Sequence, residues 1–581
     1  MRHGWSTLRG GGLALLGWGS VAWGSPQVEP DNLPVPPTPL VAQSQTLELP
    51  VIPNFELPRT AGGVHEVREL RVRRRGLLGA ELTVRGYVTS TYDCAQALAR
   101  PGVPANETRR LIDDNPQLCE RPKFYLGAGP HSPPEAALWV VDVPRPANQR
   151  ERIALSPAQL AARPAAPRLA IGDLVAVTGT FALQSPHGEQ NSDGLLVYGN
   201  LEHLKPGAHS APAIAPMPPA EPPEPPLAVG RPMRLVVPVQ NRNDSIDGYE
   251  RCDRALNDHK LDLAIMECRG ALDVWKGNHL AWYALGNALA ARADWRRARD
   301  AYDQAVQLRP DAAMYQLYDG IASYEVAMRQ ASDDQARPLP HAPALDTAMR
   351  SSSTPEAGAA LRSNTQDPTT SNLVFKPYQL AFALAEATAS TSSVFDRARR
   401  PLAIAVRLAP GLWLASYYLG RTELELDRAR PAAEAFTASI RADPSQADPN
   451  VALLQLYRAW DFSDQGLAVA RQASVHITAG NVASAWYEVG MAYDAKRQDA
   501  AAIAAFGRAI AAGDPARAKF QRGQVYFRAG DFANARRDLE AFLASRPPQL
   551  ATQISRSLLV AIARKLSDDT YLRNGGQMVT Q

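Results

Sequence analysis

From Asn243 onward the chain repeats itself about every 34 residues, and that period leaves few architectures open. The clearest unit starts at His279. It carries Trp282, Leu285, Gly286 and Leu289, then Ala298, Tyr302 and Ala305, then Pro310. Matching units start at Trp413 (Leu419, Gly420, Ala432, Phe436, Ser439, Pro444), at Ala483 (Trp486, Val489, Gly490, Tyr493, Ala502, Phe506, Ala509) and at Ala516 (Gly523, Tyr526, Ala535, Leu539, Pro547). Weaker units fall in phase at Ser245 (Cys252, Ala264, Cys268, Ala271), Gln379 (Ala398, Leu402, Ala405, Pro410) and Ala447 (Leu454, Ala470). Apolar residues three and four apart predict two helices, A and B, in each unit. A small residue at the eighth place lets A approach B, and proline closes the unit because it cannot continue a helix. Such units stack on their neighbours instead of enlarging one core. A length of 581 residues therefore does not require several independent globular domains.

The order W-x2-L-G-x2-Y, then A-x3-F-x2-A, then P, resembles the tetratricopeptide repeat (TPR). The resemblance covers the C-terminal part of the chain and implies an all-α solenoid there. Its first block is 244–330 and its second 373–548, with a capping helix and tail over 549–581. At the end of the first block Met314–Gln330 reads as an A helix carrying Gly320, and between the blocks the Ser-, Thr- and Pro-rich stretch 331–372 reads as a disordered insertion. TPR proteins hold extended peptides in a concave groove lined by A helices, so the resemblance implies a non-enzymatic scaffold with a protein or peptide partner. The groove positions would be the fifth (Tyr283, Tyr417, Tyr487, Phe520) and the ninth (Asn287, Arg421, Met491, Gln524) of each strong unit. Tyrosine at the fifth position also belongs to the repeat's own packing. Of the Lys/Asn clamp found in chaperone-binding TPRs only Asn287 fits, which argues against a receptor for C-terminal carboxylates.

The N-terminal part is built differently. Arg2, His3 and Arg9, an apolar stretch from Gly12 to Gly19, and small residues up to a cleavage point after Gly24 read as a signal peptide over 1–24. The expected destination is the bacterial periplasm or cell envelope, with secretion as the alternative, and no later segment is apolar for the roughly 20 residues of a membrane span. The chain has 48 prolines. They cluster over 25–63, read as a disordered Pro-rich segment, and over 207–243, read as an extended linker able to hold two domains apart. Between them, 64–206 alternates at the strand period in Leu82–Val88, Phe124–Leu126, Leu138–Val143, Leu174–Thr180 and Leu195–Tyr198. The strings ELTVRGYVTS and GDLVAVTGTF resemble strands of OB-fold barrels. The fold class is thus multidomain, a small all-β OB-like barrel followed by the TPR solenoid.

On such a barrel Tyr87, Tyr92, Phe124, Tyr125, Trp139 and Phe181 could stack on a glycan or single strand, with Arg68, Arg71, Arg73, Arg74 and Arg75 supplying charge. This is the alternative function, a polymer-binding module assembled by the repeats. Aromatic residues on short strands are more often core, and the alternating arginines also suit a solvated strand edge. Export and a net charge of +3 both weigh against nucleic acid. The four cysteines fit export as Cys94–Cys119, closing an irregular insertion, and Cys252–Cys268, stapling the first unit; buried free thiols are the other reading. No GxSxG elbow, phosphate loop or HExxH occurs, and the Cys and His residues lack metal-ligand spacing. His131, His187 and His203 read as loop residues. No cofactor, metal or catalytic residue is expected.

Overall fold

The computed structural model describes residues 33, 35–36, 47–55, 63–72, 77–99, 103–115, 118–130, 132, 137–145, 147, 149–204, 228–233, 235, 237–335, 389–547 and 549–573. The signal-peptide reading and the insertion 331–372, apart from its first residues, lie outside them.

The N-terminal unit is a mixed six-stranded sheet. In order come β1 (Val64–Glu66), α1 (Val67–Val72), β2 (Glu81–Thr91), α2 (Cys94–Leu98), α3 (Ala105–Asp114), β3 (Phe124–Gly127) and β4 (Leu138–Val141). After α4 (Gln149–Ala154) and α5 (Pro157–Ala161) follow β5 (Leu174–Gln184) and β6 (Gln190–His203). The strand order is β1-β2-β3-β4-β6-β5, and β5 also pairs with β2. The pairs β1–β2 and β4–β6 are parallel, the others antiparallel. On the closing pair Thr83 faces Thr178, their hydroxyls 2.8 Å apart. Alternation along β2 buries Leu82, Val84 and Val88, which join Phe124, Val140, Val177, Phe181 and Leu196 in one core. The basic run does not follow the expected strand edge. As far as Val72 it is helical, because Val67 and Leu70, both fully buried, stand three apart and turn Arg68 and Arg71 away from the core. Arg73, Arg74 and Arg75 lie outside the described residues.

The C-terminal part is a stack of antiparallel helix pairs: α6 (Val239–Asn257) with α7 (Leu261–Val274), α8 (His279–Ala291) with α9 (Trp295–Leu308), and α10 (Ala313–Gln335) with α11 (Ala389–Leu408). It continues with α12 (Trp413–Glu425) and α13 (Ala429–Ala442), α14 (Ala447–Ala459) and α15 (Ser463–His476), α16 (Val482–Ala495) and α17 (Asp499–Ala511), and α18 (Pro515–Arg528) and α19 (Phe532–Leu543). The long α20 (Gln549–Arg573) closes it. The eighth-place glycines explain how tightly the pairs close. A Cβ on Gly286, Gly420 or Gly490 would strike the ring of Tyr302, Phe436 or Phe506 in the paired helix. Gly320 stands in the same relation to Leu402 of α11. So α10 and α11 pack as the A and B helices of one unit; the start of the weaker unit read at Gln379 lies outside the described residues.

The two parts touch. Arg68 of α1 pairs with Asp461 at 3.0 Å, and Val72 packs on the core that runs from α12 to α17, beside Leu424, Leu456 and Trp460. At the other end, Gln553 of α20 donates to Thr91 O (3.2 Å) and accepts from Asp93 N (3.3 Å), while Arg556 donates to Ala97 O. The Pro-rich linker follows the same pattern: Trp275 Nε1 donates to Leu235 O (3.0 Å) and Met233 N to Gln307 O (3.3 Å). The expected separation of the parts by an extended linker is not what the structure has.

Candidate partner-binding surface

The fifth- and ninth-place residues differ in what they leave available. Tyr283 is half-buried among Tyr302, Tyr315 and Tyr318, its ring centroid 4.9 Å from that of Tyr315. Burial, reinforced by the neighbouring phenols, pushes its hydroxyl well above the ordinary tyrosine range. Asn287 accepts a 2.8 Å hydrogen bond from the Tyr302 hydroxyl. Tyr487 and Phe520 are each 1% exposed; the first lies under the Arg517 guanidinium at 4.0 Å, the second against Phe542 at 4.8 Å. Met491 is buried in the same core as Tyr487. Gln524, half-buried, donates to Gln521 Oε1 at 3.1 Å. In the last two strong units the aromatic residues therefore join neighbouring helices, and at the ninth place only Gln524 is partly open.

The unit at Trp413 gathers charge and phenols around its ninth-place residue. Arg421 lies 4.9 Å from the Tyr324 ring and 5.8 Å from Tyr417, with Tyr418, Glu325 and Asp448 in electrostatic range. Burial disfavours its charge, but the surrounding phenol oxygens and Glu325 outweigh that, and the guanidinium is held above its ordinary range. Asp448 is pushed up by burial and drawn back by Arg421. Arg421 is thus a fixed cation walled by tyrosines, where α10 and α12 approach.

One inter-unit ionic contact has no signature in the repeat. Glu488, 2% exposed, meets Arg458 of the preceding unit at 3.0 Å and is hydrogen-bonded by Gln455. Burial raises its carboxyl while Arg458 and Arg517 oppose the rise. The pairing depends on stacking of separate units, so no local pattern could announce it.

On the sheet, Phe124, Tyr125 and Phe181 are buried, and Tyr87, Tyr92 and Trp139 partly so. Tyr125 and Trp139 meet edge to face at 6.0 Å, and Ile554 of α20 packs on the cluster of Tyr125 and Ala137. Lys123 lies between Glu120 and Glu189, 5.8 Å from the Tyr92 ring and 5.7 Å from Trp139. His187 bonds Asp142 at 2.9 Å, His203 is 3.8 Å from Asp173, and His131 lies outside the described residues. Among the described residues no group of His, Cys, Asp and Glu could hold a metal. Both cysteine pairs lie at disulfide distance, with Cα atoms 5.4 Å apart for Cys94–Cys119 and 5.2 Å for Cys252–Cys268.

Comparison with known proteins bears on the helical part. Tetratricopeptide-repeat family models match residues 279–312, 483–512 and 520–565. No curated protein matches the sequence. Solved structures similar to this chain include PilF of Pseudomonas aeruginosa, 12% identical, covering 47% of this chain and 92% of that one, with a TM-score of 0.31. A tetratricopeptide repeat protein from Parabacteroides merdae is 10% identical and covers 55% of this chain and 99% of that one, with a TM-score of 0.31. MamA from Desulfovibrio magneticus is 14% identical, covering 40% and 93%, with a TM-score of 0.26. With matched segments in its second, sixth and last units, all formed of paired helices, the C-terminal part of this chain is built of tetratricopeptide repeats.

Proposed function

We propose that the chain is an exported scaffold whose solenoid holds a protein or peptide partner along its A helices, without catalysis. The observation that carries this reading is the Arg421 site, a cation enclosed by Tyr324, Tyr417 and Tyr418 at a ninth-place position. Arginine and tyrosine are the usual anchors of protein interfaces. Asn287 and Gln524, both half-buried, extend the polar contacts on either side along the stack. Two cysteine pairs at disulfide distance suit an oxidising compartment, and no described helix is long and apolar enough to cross a membrane.

The sheet is read here as an OB-like barrel, because pairing runs β2-β3-β4-β6-β5 and returns to β2 with a single parallel pair in the ring. Its use as a polymer reader is not adopted. Tyr125 is 1% exposed, and Ile554 of α20 and Trp139 both pack on the cluster it forms with Ala137.

The test is co-purification from an envelope fraction with the full chain and with Arg421→Ala, Asn287→Ala and Gln524→Ala. Loss of the same partner in the Arg421 variant, with helicity unchanged, is expected. Partner recovery unaffected by all three changes would remove the groove reading.

A further inference from the structure

A short stretch of the Pro-rich N-terminal segment is seated on the solenoid, and its pattern is unlike that of a strand or helix. The residues are Leu47-Glu48-Leu49-Pro50-Val51-Ile52-Pro53-Asn54-Phe55. Glu48, Val51 and Asn54 are exposed, Val51 by 88%. Leu49, Ile52 and Phe55 pack on the core that runs from α12 to α17, and Phe55 meets it at α14 and the turn after it. Pro50 and Pro53 take the third phase. Exposed, apolar and proline positions thus each recur every third residue. That is the period of a polyproline II helix, which has three residues per turn and no internal hydrogen bonds. From Leu49 on the stretch accordingly has no regular helix or strand; just before it, Leu49 N donates to Leu47 O at 3.0 Å in a tight turn, so the three-residue phase begins at Leu49.

The receiving surface is aromatic. Phe55 enters the turn between α14 and α15, its ring centroid 5.0 Å from Trp460 and 5.2 Å from Phe462, both edge to face, and 6.3 Å from Tyr457 in a stacked arrangement. Trp460 and Phe462 are themselves stacked at 6.2 Å. Beside them Arg71 and Val72 of α1 line a crevice with Leu456 and Trp460. Aromatic grooves recognise polyproline II segments because such segments are already extended and lose little freedom on binding.

We propose that the α14–α15 turn is a binding site for proline-rich peptides with an apolar residue at every third position, and that the chain fills it in cis with Leu49–Phe55. The site stands apart from the groove positions above, so its fate is independent of the groove reading. Only residues 56–62 separate Phe55 from the sheet unit, a tether short enough to give an effective concentration on the order of millimolar. A free peptide that binds in the micromolar range must compete with it.

The experiment uses the full chain with Leu49→Ser, Ile52→Ser and Phe55→Ser, which vacate the site, and a fluorescent peptide of residues 47–55 read by anisotropy. The vacated protein is expected to bind the peptide in the micromolar range, and the unaltered protein about 100-fold more weakly. Adding Phe462→Ala to the vacated protein should weaken binding at least about tenfold, since one wall of the Phe55 pocket is gone. A peptide of the same composition with its apolar residues moved out of the three-residue phase should not bind. Absence of binding to the vacated protein overturns the proposal, and so does equal binding of the two peptides. If the triple variant does not fold, Phe55→Ala alone removes the anchor, and the same ordering of affinities is required of it.

Discussion

At the scale of residues, the repeat makes opposite demands on glycines that look alike in the sequence. Gly420 faces the Phe436 ring across a helix pair, whereas a Cβ on Gly270, exposed in α7, would meet nothing within 4 Å. Gly420→Ala is expected to cost about 1–3 kcal/mol through overpacking. Gly270→Ala should stabilise by about 0.5–1 kcal/mol, because alanine is the better helix former. Urea midpoints of the two variants, measured side by side, should move in opposite directions. His279 offers a pH test. It is 5% exposed, bonded to the Tyr315 hydroxyl at 2.7 Å, and its pKa is lowered to about 4, chiefly by burial and then by Arg309. The folded state therefore holds the neutral ring, and its contribution is complete above the unfolded value near 6.5. As pH falls from there towards 4 the unfolded chain takes up a proton that the folded one refuses. Stability drops by up to about 3 kcal/mol over that window. His279→Gln should flatten this part of the profile, and thermal melts at pH 7.5 and 4.5 would show it; an unchanged slope would contradict the burial argument.

Individual elements show where sequence reading succeeds. The A and B helices of the strong units were legible because Gly286, Gly420, Gly490 and Gly523 and their partners recur at one spacing. Cys252 and Cys268 were legible for the same reason, since both occupy inward places of the first unit. With only one neighbouring pair, α6 and α7 gain most from that bond. Its replacement by two alanines is expected to cost about 2–4 kcal/mol. Amide exchange should accelerate in α6 and α7 and stay unchanged in α16 and α17. The pairing of α10 with α11 was not legible. Gly320 and Leu402 meet although they stand far apart in the sequence, and the start of the weaker unit read at Gln379 lies outside the described residues. The groove positions were legible as places but not as surfaces. Whether Tyr487 is a contact or core depends on Arg517 and Phe506, which other helices supply. The seated stretch at Leu49–Phe55 was hidden by the prolines around it, which mask a three-residue phase inside a composition that reads as disorder.

For the whole molecule, the sheet unit is held at two places on the solenoid, by α1 on α14 and by α2 on α20. Neither contact had a local signature, because each joins residues from opposite ends of the chain. Gln553→Ala combined with Arg556→Glu should release α20 from Thr91, Asp93 and Ala97. Small-angle scattering is then expected to show a larger radius of gyration while helicity is retained; unchanged scattering would mean that the α1 contact alone fixes the arrangement. The two attachments also have a mechanical meaning. Stacked helix pairs flex like a leaf spring, each pair tilting slightly on the next. A rigid body fastened to α14 and to α20 acts as a string across a bow: it fixes the span of the last three pairs while the earlier ones remain free to bend. Tension applied at the C-terminal helix would then pass through the sheet to the fifth pair and bypass the joints between.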